Sequence, residues 1–166
     1  MAVYNSAVVK FYAPSDLSGI GGMRRERIRA VQSWKKGPPR YDCIFVSTDP
    51  TAEGMHGLDV GRARLFFKFE FDGVTYPCAL IQWFSRIGNS PDEDTGMWMV
   101  KPDVDDSGSP IRFIIHLDSI MRAAHLIGIY GDRRLPSTVT FDRSLDIFRS
   151  YYVNKYIDHH AFEIAY

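Results

Sequence analysis

Three adjacent carboxylates, Asp92, Glu93 and Asp94, stand just before Gly96 and Trp98 in the stretch PDEDTGMWMV at residues 91–100. Carboxylates can hold Mg²⁺ or move protons, but two-metal phosphoryl chemistry gathers them from separate elements that converge. Three consecutive side chains cannot all face one ion. A calcium loop also fails as a template, because it needs acids at alternate positions and a distal glutamate. The Asn, Pro, Asp and Gly content predicts a solvated turn before a strand.

The second candidate is Asp158-His159-His160. Neighbouring side chains on a helix point about 100° apart, so His159 and His160 would need a third ligand, such as Glu163 or His56, to hold a metal. The alternative is a helix-end cluster that bonds locally. His116 and His125 lie in or beside apolar strand-like runs and read as core or edge histidines. No nucleophile constellation emerges. Ser85 and Ser119 lack an elbow, and Gly19-Ile20-Gly21-Gly22 follows no strand and lacks the phosphate-loop lysine. Cys43 and Cys78 lie alone in apolar settings, which speaks against a disulfide framework or a cysteine zinc site. These readings predict a protein without catalytic residues or a cofactor.

Binding chemistry is better represented. Residues 23–40 carry Arg24, Arg25, Arg27, Arg29, Lys35, Lys36 and Arg40 against one acid, Glu26, while residues 92–106 hold Asp92, Glu93, Asp94, Asp103, Asp105 and Asp106 against Lys101. The chain as a whole is neutral, with 20 Lys+Arg and 20 Asp+Glu, so a whole-protein field attracts neither nucleic acid nor an anionic membrane. The basic segment can neutralise phosphates, with Trp34 or Tyr41 available to stack on a base. Its alternatives are a solvated face, or internal pairing with the acidic segment. Separately, Tyr76, Trp83, Phe84 and Trp98 could line a cage for a methylated cation, or pack in the core.

These residues must be positioned by a chain of 166 residues, long enough for one domain with its own core. Its 14% aromatic content favours strands. Residues 1–40 show little regular signal beyond a short basic helix expected over 23–34 with Ile28 and Val31 inward. A β core is expected over 41–131. YDCIFVS at 41–47 reads as a buried strand, and residues 51–61 as a loop. RLFFKFEF and VTYPCALIQWF flank Asp72-Gly73, the preferred two-residue hairpin turn. Leu65, Phe67, Phe69 and Phe71 share one face of the first run, and Pro77 belongs at an edge or bulge. Further strands are expected at 97–101, 111–117 and 125–130, with one turn capped by Asp118 over 118–124. In the last part, residues 132–166, Leu145, Phe148, Tyr152 and Tyr156 recur at helix spacing after Asp142. The fold class is α+β, mostly β: a small curled antiparallel sheet or barrel of about six strands with a C-terminal helix. No run is long and apolar enough to span a membrane, and the first residues lack a signal peptide's apolar core. The reading is a soluble intracellular protein.

The succession KFYAPSDLSGIGGMRRERIR, PPRYDCIFVSTDP, GMHGLDVGRARLFFKFEFDGVTYPCALIQWFSRIGNSPDEDTGMWMVKPD, IIHLDSIMRAAHLIGIYG and DRSLDIFRSYYVNKYIDHHAFEIAY resembles the C-terminal region of Plavaka-type, CACTA-related transposase-like proteins of basidiomycete fungi. The likeness covers about residues 10–166. It implies an accessory domain separated from the ribonuclease H-like catalytic core that precedes this region in such elements. DNA or a transposase protein is then the implied partner, with no small-molecule substrate, and the nucleus the implied compartment. YPCALIQWFSR followed by IIHLDSIMRAAHLI is similar in layout to bromo-adjacent-homology barrels, which would make the chain a chromatin-type interaction module. A decayed transposon fragment without a task of its own is the remaining alternative.

Overall fold

The computed structural model of this chain describes every residue except 18, 132, 133 and 136. In chain order the strands are β1 (Ala2–Tyr4), β2 (Ser6–Tyr12), β3 (Met23–Val31), β4 (Arg40–Tyr41), β5 (Cys43–Ser47), β6 (Leu58–Phe71), β7 (Val74–Ile87), β8 (Met99–Pro102), β9 (Arg112–His116), β10 (Ile120–Ala124), β11 (Leu126–Ile129) and β12 (Ser150–Val153). Two short helices, α1 (Ser144–Ile147) and α2 (His159–Ile164), flank β12.

The main sheet runs β10-β5-β6-β7-β8-β12-β11, all antiparallel. Its two outermost strands, β10 and β11, are consecutive in the chain with only His125 between them. One nearly continuous stretch therefore pairs with β5 at its start and with β12 at its end, and curls the sheet into a nearly closed barrel. Counting that stretch once, the ring has the half-dozen strands expected. β1 adds to β6 and β9 to β7, and β2-β3-β4 forms a separate small sheet.

Two apolar clusters hold these layers. The barrel interior takes Phe45, Leu58, Val60, Phe84, Trp98, Val100, Tyr151 and Val153 from strands around the ring, with Ala165 after α2 at its end. The opposite face of β5–β7 presents Ile44, Val46, Ala63, Phe66, Ala79 and Ile81 to Ala7, Val9 and Phe11 of β2 and Ile28 and Ala30 of β3. β5 is thus buried on both sides, which explains its unbroken apolar run. Gly61 lies in β6 because a Cβ there would come within 2.2 Å of the Ile81 side chain.

The Asp72-Gly73 turn forms as expected, with φ of 50° and 72° and Phe71 opposite Val74. Pro77 lies just outside the register that β7 shares with β9, so its missing N–H interrupts no bond on that side. Other expectations are corrected. Residues 23–31 form a strand, not a helix, because the remote β2 supplies a partner whose apolar positions alternate. The "irregular" first forty residues accordingly hold three strands and the start of β4 at Arg40. The loop expected over 51–61 ends at Gly57, where β6 begins early. The turn at Leu117–Ser119 is capped by the His116 ring, which accepts from the Asp118 N–H, not by Asp118, and β10 follows it. The expected helix from Asp142 breaks after four residues of α1. Tyr151 and Val153 then alternate inward in β12 because β8 and β11 flank that strand on both sides.

The interior position of Phe45, at 1% exposure, makes Phe45→Ala cost about 3–5 kcal/mol. Val104→Ala, on the surface, should change stability by under about 0.5 kcal/mol. Urea unfolding of the two variants checks the contrast.

Candidate nucleic-acid interface

Side chains alternate across a strand, so the phase of β3 decides what its basic residues do. Arg24, Glu26, Ile28 and Ala30 point one way. Ile28 and Ala30 enter the core, Arg24 pairs with Asp16 at 2.5 Å, and Glu26 reaches a buried arginine. Arg25, Arg27 and Arg29 therefore share the outward face, about 7 Å apart along the strand. The β2 register places Lys10 opposite Arg25, Val8 opposite Arg27 and Ser6 opposite Arg29. Arg27 donates to the Ser6 hydroxyl at 3.2 Å. Among the described residues, Lys10, Arg25, Arg27 and Arg29 join no ion pair.

The loop from β3 to β4 extends this surface. Trp34 N–H donates to the Pro38 carbonyl and Gly37 N–H to the Trp34 carbonyl, while Lys35 and Lys36 take left-handed φ of 50° and 64° at the exposed tip. The Arg29 guanidinium lies 4.2 Å from the Trp34 ring centre, with Arg40 at 5.4 Å and the Lys35 ammonium at 5.6 Å. Trp34 thus holds three cations close together by their attraction to its ring. Arg40 alone among them pairs with an acid, Asp42, at 2.7 Å. A groove of about 810 Å³ adjoins the surface and is lined by Arg27, Trp34, Arg40 and Tyr41 together with the acids Glu26, Asp42, Asp142 and Asp158.

What fixes β3 is Arg122 on β10, 3% exposed. It donates twice to Asp158, at 2.6 and 2.8 Å, and once to Glu26 at 3.1 Å, and lies 3.1 Å from His160 Nδ1. Glu26 also accepts from the Ala123 N–H. Asp158 caps α2 by accepting from Ala161 N–H. Its bonds to Arg122 hold its carboxyl down at about 2, while burial, with the Arg122 charge, lowers His160.

The acidic segment does not reach the basic one among the described residues. Asp92 accepts from Thr95 N–H and hydroxyl at 3.0 and 2.7 Å, and Asp105 from Ser107 and Ser109, so these acids build their own turns. Asp103 accepts a hydrogen bond from the Ser85 hydroxyl. Trp83, Phe84 and Trp98 line one pocket of about 480 Å³ with His56, Asp59 and Arg86, but Tyr76 is not among its walls and stacks on Phe69 at the hairpin tip. The Arg86 guanidinium lies 5.7 Å from the Trp98 ring, where a ligand cation would compete with it. His159 is exposed, whereas His160 stacks on Phe11 at 4.7 Å beside the Arg122 charge, which opposes a metal ion there. The described residues contain no cluster of three His, Cys, Asp or Glu fit for a metal. Burial pushes the Cys43 thiol up to about 12, and an un-ionised thiol is a poor nucleophile. No helix among the described residues is long and apolar enough to cross a membrane.

The chain matches no family model, no curated protein and no solved structure. Of the residues that build the basic face, the sequence reading omits Lys10. The alternation of SAVVKFY signals it, and a lone arginine inside IMRAAHLI likewise signals a buried, partnered Arg122.

Asp158 titrates far below its unfolded value near 3.8, so its contribution to stability is complete above about pH 4 and is lost as pH falls toward 2. His160, also lowered, loses stability in the same direction, starting from its unfolded value near 6.5. The melting temperature of the parent protein should therefore fall from pH 7 to pH 2. Asp158→Asn should melt lower at pH 7 and show a flatter curve between pH 4 and pH 2 in calorimetric scans.

Proposed function

We propose that this chain is a non-catalytic accessory domain that contacts the phosphate backbone of nucleic acid through the outer face of β2 and β3 and the adjoining Trp34 loop. One observation carries the reading: exposed Lys10, Arg25 and Arg27 line up on one face with half-buried Arg29, and none of the four side chains forms an ion pair among the described residues, although the chain is neutral overall. Such a row suits a regularly charged polymer, and its contacts are independent of base sequence. Lys35 and Lys36 extend the field at the loop tip. Arg24, which turns to the other face, has no part in the contact. The likeness to the C-terminal region of Plavaka-type transposase-like proteins agrees with a role beside a DNA-processing partner. The aromatic pocket offers a weaker reading as a methyl-cation cage, because Arg86 already lies near Trp98 and Tyr76 stands elsewhere.

Fluorescence anisotropy with a random-sequence duplex tests this. Four phosphate contacts give a slope of log Kobs against log salt of about −3 to −4, and Arg25→Ala, Arg27→Ala and Arg29→Ala together reduce it to about −1. Absence of binding at low salt, or an unchanged slope in the triple variant, refutes the reading.

A further inference from the structure

β6 and β7 are longer than the ring requires, and beyond it they form a four-stranded sheet with β1 and β9 at its edges. Cross-strand partners lie on the same side of a sheet, so the register assigns each face. Val3 stands opposite Phe67, and Phe67 opposite Cys78. Phe69 stands opposite Tyr76, and Phe71 opposite Val74. Leu65, Leu80 and Ile114 continue the row toward the barrel. Lys68, Glu70 and Thr75 all fall on the reverse side, and Arg64, at the bulge between Ala63 and Leu65, turns away to lie 4.1 Å from the Tyr41 ring. Among the described residues this register adds two further ionisable side chains, His116 opposite Cys78 at one end and Arg112 opposite Gln82 at the other, beyond Ile114 and toward the barrel.

This face is apolar and largely uncovered. Val3 is 54% exposed, Phe71 69% and Ile114 61%, and Phe67 and Cys78, though buried, belong to neither core cluster. Phe69, on the same face, stacks with both Phe67 and Tyr76. A contiguous apolar face of this kind marks an interface.

Its chemistry selects the occupant. Between Val3 and Ile114 the face carries no formal charge, Arg112 lying beyond it at the barrel-side margin, and a flat apolar sheet is complementary to another like itself. Strands about 4.8 Å apart, the two central ones flanked by the three residues of β1 and the five of β9, give on the order of 350 Å² of sheet plane. Because rings protrude from that plane, two such faces in contact bury on the order of 1,000–1,200 Å² in total, at the lower end of stable interfaces. We propose that two copies of this chain pair through the apolar face of the β1-β6-β7-β9 sheet, packed face to face about a twofold axis. The basic face stays free in the pair, because β2 and β3 pack on the reverse side of β6 and β7, against Phe66, Ala79 and Ile81.

Sedimentation velocity of the 166-residue chain from about 1 to 100 μM tests the pairing, a range that spans the affinity expected of a small interface. The parent chain should approach twice its 19.0 kDa mass as concentration rises. Phe69→Asp with Phe71→Asp should weaken association at least about 100-fold, since like charges would be buried against each other. Circular dichroism confirms that the variant is folded, and Val3→Asp, on the three-residue edge strand, provides a second disruption should it not be. Lys68→Glu, on the reverse side, should leave association unchanged. A parent chain that remains at 19.0 kDa throughout, or a double variant that associates like the parent, overturns the proposal.

Discussion

Arg122 carries a full positive charge at 3% exposure and is neutralised from two directions, by Glu26 of β3 and by Asp158 at the start of α2. A buried guanidinium left without either partner would be strongly unfavourable, so the three elements are held in one arrangement. The consequence reaches the surface. Once Glu26 faces inward, the period of two places Arg25, Arg27 and Arg29 outward, and a slip of one residue would bury them and expose Ile28 and Ala30. The exposed cation row is thus a by-product of a buried ion pair on the opposite face of the same strand.

The same logic explains which parts of the fold were legible. Asp72-Gly73 between two apolar runs is a local signal, and local backbone geometry decides that hairpin. The strand at Cys43–Ser47 was also readable, because burial on both faces gives an unbroken apolar run. β3 was not. Ile28 and Val31 are spaced for a helix as well as placed in a strand, and only β2, across the 13–22 connection, resolves the ambiguity. β12 failed for a similar reason: Leu145, Phe148, Tyr152 and Tyr156 fit a helical period, but the flanking β8 and β11 demand an extended segment. Of the site, the outward arginines were identified by type and not by face. Arg122 carries a local signal, a lone arginine in an apolar run, but its partners, 96 and 36 residues away, carry none.

Zero net charge conceals an organised field. Three of the six acids of residues 92–106 bond within their own neighbourhood, Asp92 to Thr95, Asp105 to Ser107 and Ser109, and Asp103 to Ser85. None of the six forms an ion pair with the cations of β2 and β3 among the described residues. Trp34 adds to this by drawing Arg29, Arg40 and Lys35 around one ring. Attraction to its π face offsets part of the repulsion among like charges that would otherwise spread them.

The single residue His125 between β10 and β11 has a bearing on how the chain reaches this state. The ring is completed where Ile120 meets Val46, far apart in the chain, and where Leu126 meets Val153, nearer together. The first seam closes a loop of about 74 residues and the second one of about 27, so loop-closure entropy is paid before the barrel interior is filled. Such a topology belongs with slowly folding β proteins, in which the β6–β7 hairpin, formed from adjacent residues, is available early as a template for the strands that arrive later.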